Sequence, residues 1–203
     1  RVHVKHGLYR FKDKKMSTRR GNVIWLEDVI AEAKKRAEAL SPDKKHIAHV
    51  VAIGALKWND LKSETTRDII FDWDDLLSMK GNSGPYIQYA TVRAKSVLRK
   101  AALEEFYPGF GDDSWKLDKD EMSLVRHLDR FTEVVEQAAK EFAPHHLATY
   151  LFELAQRFNG FYNTHPIINA ENSDARERRC TLTQVAAKVL EYGLSLLGIQ
   201  TPE

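Results

Sequence analysis

The feature that most restricts how this chain can fold is an apolar repeat. Leu124, Leu128, Phe131, Val135, Ala138 and Phe142 recur at alternating spacings of four and three. That period lays one stripe along an α-helix and does not fit the two-residue alternation of a strand. Pro144 stops this stretch and starts a second, in which Leu147, Leu151, Leu154, Phe158 and Phe161 form another stripe before Pro166. Residues 169–179 are polar and charged. A last helix is expected from about Thr181, carrying Leu182, Val185, Val189, Leu196 and Leu197 before Gly198. Short connections between long amphipathic helices predict a helical bundle. A bundle by itself names no function.

Upstream the pattern changes. Residues 1–4 and 7–11 alternate in strand fashion, 22–26 form a further apolar run, and Glu27 to Leu40 places Val29, Ile30, Ala33, Ala37 and Leu40 at helical spacing. Strand, loop, short strand and helix make a plausible last unit of an α/β nucleotide-binding domain. About forty residues are too few for a doubly wound sheet, since one βαβ unit takes roughly thirty. The chain is therefore expected to begin inside a larger protein. Lys44 to Leu56 reads as one amphipathic stretch, followed by Trp58 to Leu61, and Arg67 to Phe71 as strand or extended segment. Asp72 looks like the N-cap of a helix through Met79. Gly81 to Gly84 reads as a turn, Pro85 suits the first position of a helix running to about Leu103, and 104–118 read as a linker. These signals divide the chain into 1–79 and 80–203.

Charge is local rather than global. The net charge is only +2, which excludes a general polyanion binder. Yet Arg1, Lys5, Arg10, Lys12, Lys14, Lys15, Arg19 and Arg20 face the single acid Asp13 within the first twenty residues, and Arg93, Lys95, Arg99 and Lys100 form a second basic block. Local basic faces on a near-neutral protein suit phosphate contact at a few places. The run Lys14-Lys15-Met16-Ser17-Thr18-Arg19-Arg20 is either a solvated basic hairpin tip or movable positive charge for a triphosphate, which nucleotidyl transfer requires. One cysteine, Cys180, permits neither an internal disulfide framework nor a multi-cysteine zinc site. His46 and His49 have no third ligand nearby in sequence, so no protein-bound metal is expected. No apolar run is long enough to span a bilayer and no secretory signal is seen, so no membrane partner is expected and the cytoplasm is the default location.

Several segments together resemble the C-terminal part of class I arginyl-tRNA synthetases, over essentially the whole chain. They are 6–11 (HGLYRF), Lys15 to Arg19 with 21–23 (GNV), 71–74 (FDWD), 81–90 (GNSGPYIQYA) with Arg93, 154–162 (LAQRFNGFY) and 196–199 (LLGI). The Lys-Met-Ser run alone points only to class I synthetases. The Gly-Pro-Tyr-Ile-Gln-Tyr-Ala helix narrows the likeness to the arginine enzyme and its DALR-type anticodon-binding domain.

The resemblance implies a mainly α fold: an anticodon-binding helical bundle preceded by the last β-loop-β-α piece of the nucleotide-binding domain. It implies ATP-dependent joining of L-arginine to tRNA(Arg) through an arginyl-adenylate, with Mg2+ accompanying ATP in the complete, monomeric enzyme. Lys15, Met16, Ser17 and Arg19 would serve catalysis, with Lys15 and Ser17 on ATP. The family motif ends in Lys-Ser where this chain has Thr18-Arg19, and guanidinium and ammonium are not interchangeable. The His-x-Gly-His motif is absent, and His3-Val4-Lys5-His6 has lysine where glycine is needed. The chain alone is therefore expected to make no arginyl-adenylate in ATP–pyrophosphate exchange. The expected tRNA contacts are Tyr86, Gln88, Arg93, Asn159 and Tyr162, with Tyr162 stacking on an anticodon base. Tyr86, Tyr89 and Arg93 share one helix face and Gln88 another; both tyrosines also read as core aromatics. Phe158 and Phe161 read as core and Arg157 as solvated. A stand-alone RNA-binding module, a cysteinyl-type synthetase and a helical interaction scaffold are the alternatives.

Overall fold

A computed structural model gives the fold of the chain, and it describes residues 2–11, 25–40, 42–101 and 115–203. Strand β1 (Tyr9–Phe11) pairs in parallel with β2 (Ile69–Phe71), with Tyr9 opposite Ile69 and Phe11 opposite Phe71. Parallel strands need a crossover, which is supplied by α1 (Leu26–Leu40), a 3-10 turn (Pro42–Ile47) and α2 (Ala48–Leu61). Ala33, Ala37, Ala48 and Ala52 are buried together, so the small side chains let α1 and α2 approach closely.

The strand expected at residues 1–4 is absent from Val2 to Val4. Alternation there meets no partner strand among the described residues, and an unpaired strand leaves its backbone groups unsatisfied. Of the run 22–26, residues 22–24 lie outside the described residues, Trp25 is irregular and Leu26 already starts α1. Arg67 to Phe71 resolves into β2.

Asp72 caps α3 (Trp73–Leu76), accepting from the Asp74 and Asp75 amides at 2.8 and 3.4 Å. This helix stops well before Met79. Helix α4 (Gly84–Lys100) is capped by the Ser83 hydroxyl and holds Pro85 in its first turn. A Cβ on Gly84 would lie 2.7 Å from the Gly54 carbonyl oxygen, so α2 and α4 cross with backbones nearly touching.

The stripe from Leu124 to Phe142 is expected as one helix and forms two, α5 (Lys119–Asp129) and α6 (Phe131–Glu141). The reason lies on α7 (Pro144–Thr164). The Tyr150 hydroxyl donates to the His127 carbonyl at 3.0 Å and reaches the Leu128 carbonyl at 3.5 Å. A side chain that inserts into the helical ladder breaks it without proline or glycine. Helix α8 (Ser173–Leu196) begins with the Asn172 cap, about two turns earlier than its apolar stripe suggests. Leu124, Leu151, Leu154, Phe158, Phe161, Leu190 and Leu194 are fully buried in one core with Ile87 and Trp58. No helix among the described residues is long and apolar enough to cross a membrane.

The α5–α7 contact carries a pH dependence. His127 stacks on Tyr150 with ring centroids 4.4 Å apart, and its Nε2 lies 3.0 Å from the Tyr150 carbonyl oxygen. Burial holds this imidazole below its ordinary value, with Arg157 and Arg130 acting in the same direction and the contact to the Tyr150 carbonyl and Glu153 opposing them. Burial also lowers His145. The unfolded chain therefore binds more protons below about pH 6.5, and stability falls as pH drops through that range. Thermal unfolding at pH 7 and pH 5 is expected to show a smaller acid loss in His127→Gln than in the parent. Equal losses would remove His127 from this account.

Candidate nucleic-acid interface

Helix α4 turns Tyr86, Tyr89 and Arg93 to one side because they stand three and four residues apart. The C-terminal half of α7 brings Asn159 and Tyr162 against that side. Arg93 Nη1 donates to Asn159 Oδ1 at 3.3 Å and Nη2 to the Tyr89 hydroxyl at 3.3 Å. Its guanidinium carbon lies 4.9 Å from the Tyr89 ring centroid and 5.2 Å from that of Tyr162. The cation is thus held between two aromatic rings, an arrangement favoured by ring quadrupoles. Among the described residues no carboxylate lies within ion-pair distance of Arg93.

Tyr89, Arg93 and Tyr162 border an open groove of about 630 Å³ between α4 and the segment after α7. Tyr89, Arg93 and Lys100 line one wall, while Tyr162, Asn163, His165 and Asn169 line the other. Tyr89 is 47% exposed and Tyr162 37%, so each ring offers surface to a ligand. Lys95 is engaged elsewhere, with Glu191 at 2.7 Å. Arg157 is exposed and meets Glu153 at 3.3 Å.

The second wall is fastened from behind. His165 stacks on Phe161 with centroids 4.9 Å apart, and its Nε2 meets Asp118 Oδ2 at 2.6 Å. Burial opposes ionisation of Asp118, but the Glu121 and Asp120 amides and His165 together hold its carboxyl below the ordinary value. Asp118 and Glu121 form the capping box of α5. Glu121 is wholly buried, with Arg178 Nε at 3.0 Å and Arg179 Nε at 3.6 Å from Oε1. Arg179 also grips Glu171 with both Nη atoms at 2.8 and 2.9 Å, and donates to the Pro166 carbonyl at 2.9 Å. Within the polar and charged stretch 169–179, Arg178 and Arg179 turn inward, and Arg179 ties residues 166–171 to α5.

The expected site residues fall into three groups. Lys15, Met16, Ser17 and Arg19 lie outside the described residues. Tyr86, Arg93, Asn159 and Tyr162 come together; Tyr86 is half-buried, accepts from Asn159 Nδ2 at 3.0 Å and packs its ring edge-on against Phe152. Gln88 is removed from the surface: it is 1% exposed, and Nε2 donates to the Val50 and Gln200 carbonyls at 3.2 and 2.7 Å. Its amide joins α2, α4 and the C-terminal tail, so it is not an RNA contact. Phe158 and Phe161 are core. Tyr89, Lys100 and His165 line the groove but are absent from the expected contacts. Tyr89 had a signal, three and four residues from Tyr86 and Arg93; His165 had none, because it lies past the last apolar repeat. His46 sits on the 3-10 turn and His49 on α2, both exposed, and the described residues hold no group of three metal-ligating side chains.

Comparison with known proteins places this groove in context. The family model for the DALR anticodon binding domain matches residues 87–203, and that for the class I tRNA synthetase (R) catalytic domain matches 2–73. Arginine–tRNA ligase of Clostridium perfringens is 37% identical over 209 residues, covering 100% of this chain and 37% of that protein. The Escherichia coli K12 protein of the same name is 39% identical over 211 residues, covering 99% and 36%. The chain thus spans little more than a third of these relatives. Among solved structures, arginyl-tRNA synthetase of Thermus thermophilus superposes with a TM-score of 0.87 at 36% identity, covering 98% of this chain and 34% of that one. The Plasmodium falciparum enzyme gives 0.78 at 25% identity, covering 99% and 35%.

Proposed function

The chain belongs to the DALR anticodon-binding domain family, and from that premise we propose that it is the C-terminal part of an arginine–tRNA ligase whose groove between α4 and α7 holds the anticodon loop of tRNA(Arg). The observation that carries this reading is Arg93 beside Tyr89 and Tyr162, a cation with no carboxylate partner among the described residues and with exposed rings next to it. Proteins that bind unpaired RNA use that combination of stacking faces and guanidinium. Tyr86 and Asn159 support it from behind.

In the whole protein the reaction would attach L-arginine to tRNA(Arg) using ATP. Lys15 and Ser17 would contact the nucleotide, with Met16 and Arg19 in the same run, and Mg2+ would accompany ATP. The whole enzyme would work as a cytoplasmic monomer. Residues 1–79 would then be the end of the catalytic domain and 80–203 the tRNA-binding domain.

Filter binding with purified tRNAs tests the RNA half directly. The chain is expected to prefer arginine-accepting tRNA, and Tyr162→Ala to weaken that binding roughly tenfold, the worth of one lost stack. Equal binding of all tRNAs, insensitive to Tyr162, would overturn the assignment of the groove.

A further inference from the structure

We propose that Asn159 is a positioning residue: it acts on RNA through Arg93, holding the guanidinium between Tyr89 and Tyr162 so that its remaining N–H groups meet a phosphodiester of the bound strand. This rests on the groove being the tRNA site, and goes beyond it by assigning what Arg93 binds and removing Asn159 from direct contact.

An asparagine amide discriminates a base best by offering its carbonyl and N–H together. Here both ends face protein. Arginine has donors and no acceptor, so the atom facing Arg93 Nη1 at 3.3 Å must be Oδ1. Nδ2 then faces the Tyr86 hydroxyl at 3.0 Å. Asn159 is half-buried and does not border the groove, whereas Tyr89, Arg93 and Tyr162 do.

Arg93 has five N–H donors, and among the described residues protein partners take two of them. The Tyr89 and Tyr162 ring centroids lie 4.9 and 5.2 Å from the guanidinium carbon, and the N–H groups left over lie on the rim of a planar cation. A planar edge of N–H groups matches two phosphate oxygens. Lys100 on the same wall adds a second cation, while Lys95 is neutralised by Glu191. A phosphodiester is therefore the ligand for Arg93, and the exposed tyrosine surface remains for a base.

The test is a double-mutant cycle on binding of the chain to arginine-accepting tRNA, measured at several salt concentrations. Arg93→Ala is expected to weaken binding roughly tenfold, as loss of charge-assisted hydrogen bonds does. It should also flatten the slope of log K against log salt by about 0.7, one single-strand phosphate. Asn159→Ala should give most of the same loss and the same flattening, and the double variant should bind no more weakly than Arg93→Ala. Tyr86→Phe, which removes only the Nδ2 acceptor, runs the same cycle as a milder probe; its smaller loss should vanish in the Arg93→Ala background. Thermal unfolding of each variant separates lost folding from lost placement. Additive losses, or an Asn159→Ala variant with an unchanged salt slope, would overturn the positioning role while leaving the groove assignment standing. A cost of Arg93→Ala that changes with the loop base would overturn the phosphate assignment. If Arg93→Ala binds like the parent, the groove itself is not the tRNA site.

Discussion

Replacing Glu121 by alanine is expected to destabilise the chain by about 3–5 kcal/mol, the cost of breaking a buried ion pair from one side. Glu121 is wholly buried and is the inner counter-ion of both Arg178 and Arg179. Its Oε2 also accepts the Asp118 amide at 3.0 Å. Removal leaves two guanidinium groups short of negative charge in a desolvated place and an amide unpaired. For a protein of this size the midpoint of thermal unfolding should fall by roughly 10 °C. Glu121→Gln retains an acceptor and should cost less. The wall of the groove depends on the same network through Arg179 and the Pro166 carbonyl, so tRNA binding should weaken even at temperatures where Glu121→Ala remains folded. A loss below about 1 kcal/mol, the level of an exposed pair, would show that the network does not hold this part of the fold.

Trp58→Ala is the other large effect. Trp58 is the largest fully buried side chain, and it comes from α2, outside the region that matches the anticodon-binding family. It nevertheless lies in the same core as Ile87, Leu151 and Leu194, and its Nε1 donates to Asn82 Oδ1 at 2.8 Å. Truncating a buried tryptophan costs about 3–5 kcal/mol, mostly cavity. Trp58→Phe keeps most of the apolar volume and isolates the hydrogen bond, worth about 1 kcal/mol. Urea unfolding should show one transition in the parent, shifted strongly by alanine and modestly by phenylalanine. Separate transitions for the two halves would mean that α2 and the bundle do not share a core energetically.

The helical stripes were legible because their information is local. The spacing of Leu147, Leu151, Leu154, Phe158 and Phe161 lies within one segment, and so do the Asp72 cap and the Pro144 start. The resemblance added the family, and helix faces together with that likeness supplied the expected contacts Tyr86, Gln88, Arg93, Asn159 and Tyr162. What went unread involves a partner from another element. The break at Arg130 depends on Tyr150 from α7, and the inward turn of Arg178 and Arg179 on the buried Glu121 of α5.

Gln88 and Asn159 mark the division most clearly. The sequence by itself determined the helices that carry them, the face each occupies, and the family to which those helices compare. Only the tertiary structure decided that Gln88 spans α2 and the C-terminal tail, and that Asn159 turns its amide to Tyr86 and Arg93 instead of the groove. The physical reason is that helical periodicity places a side chain on a face, whereas a polar group's partners are set by whichever helix crosses that face.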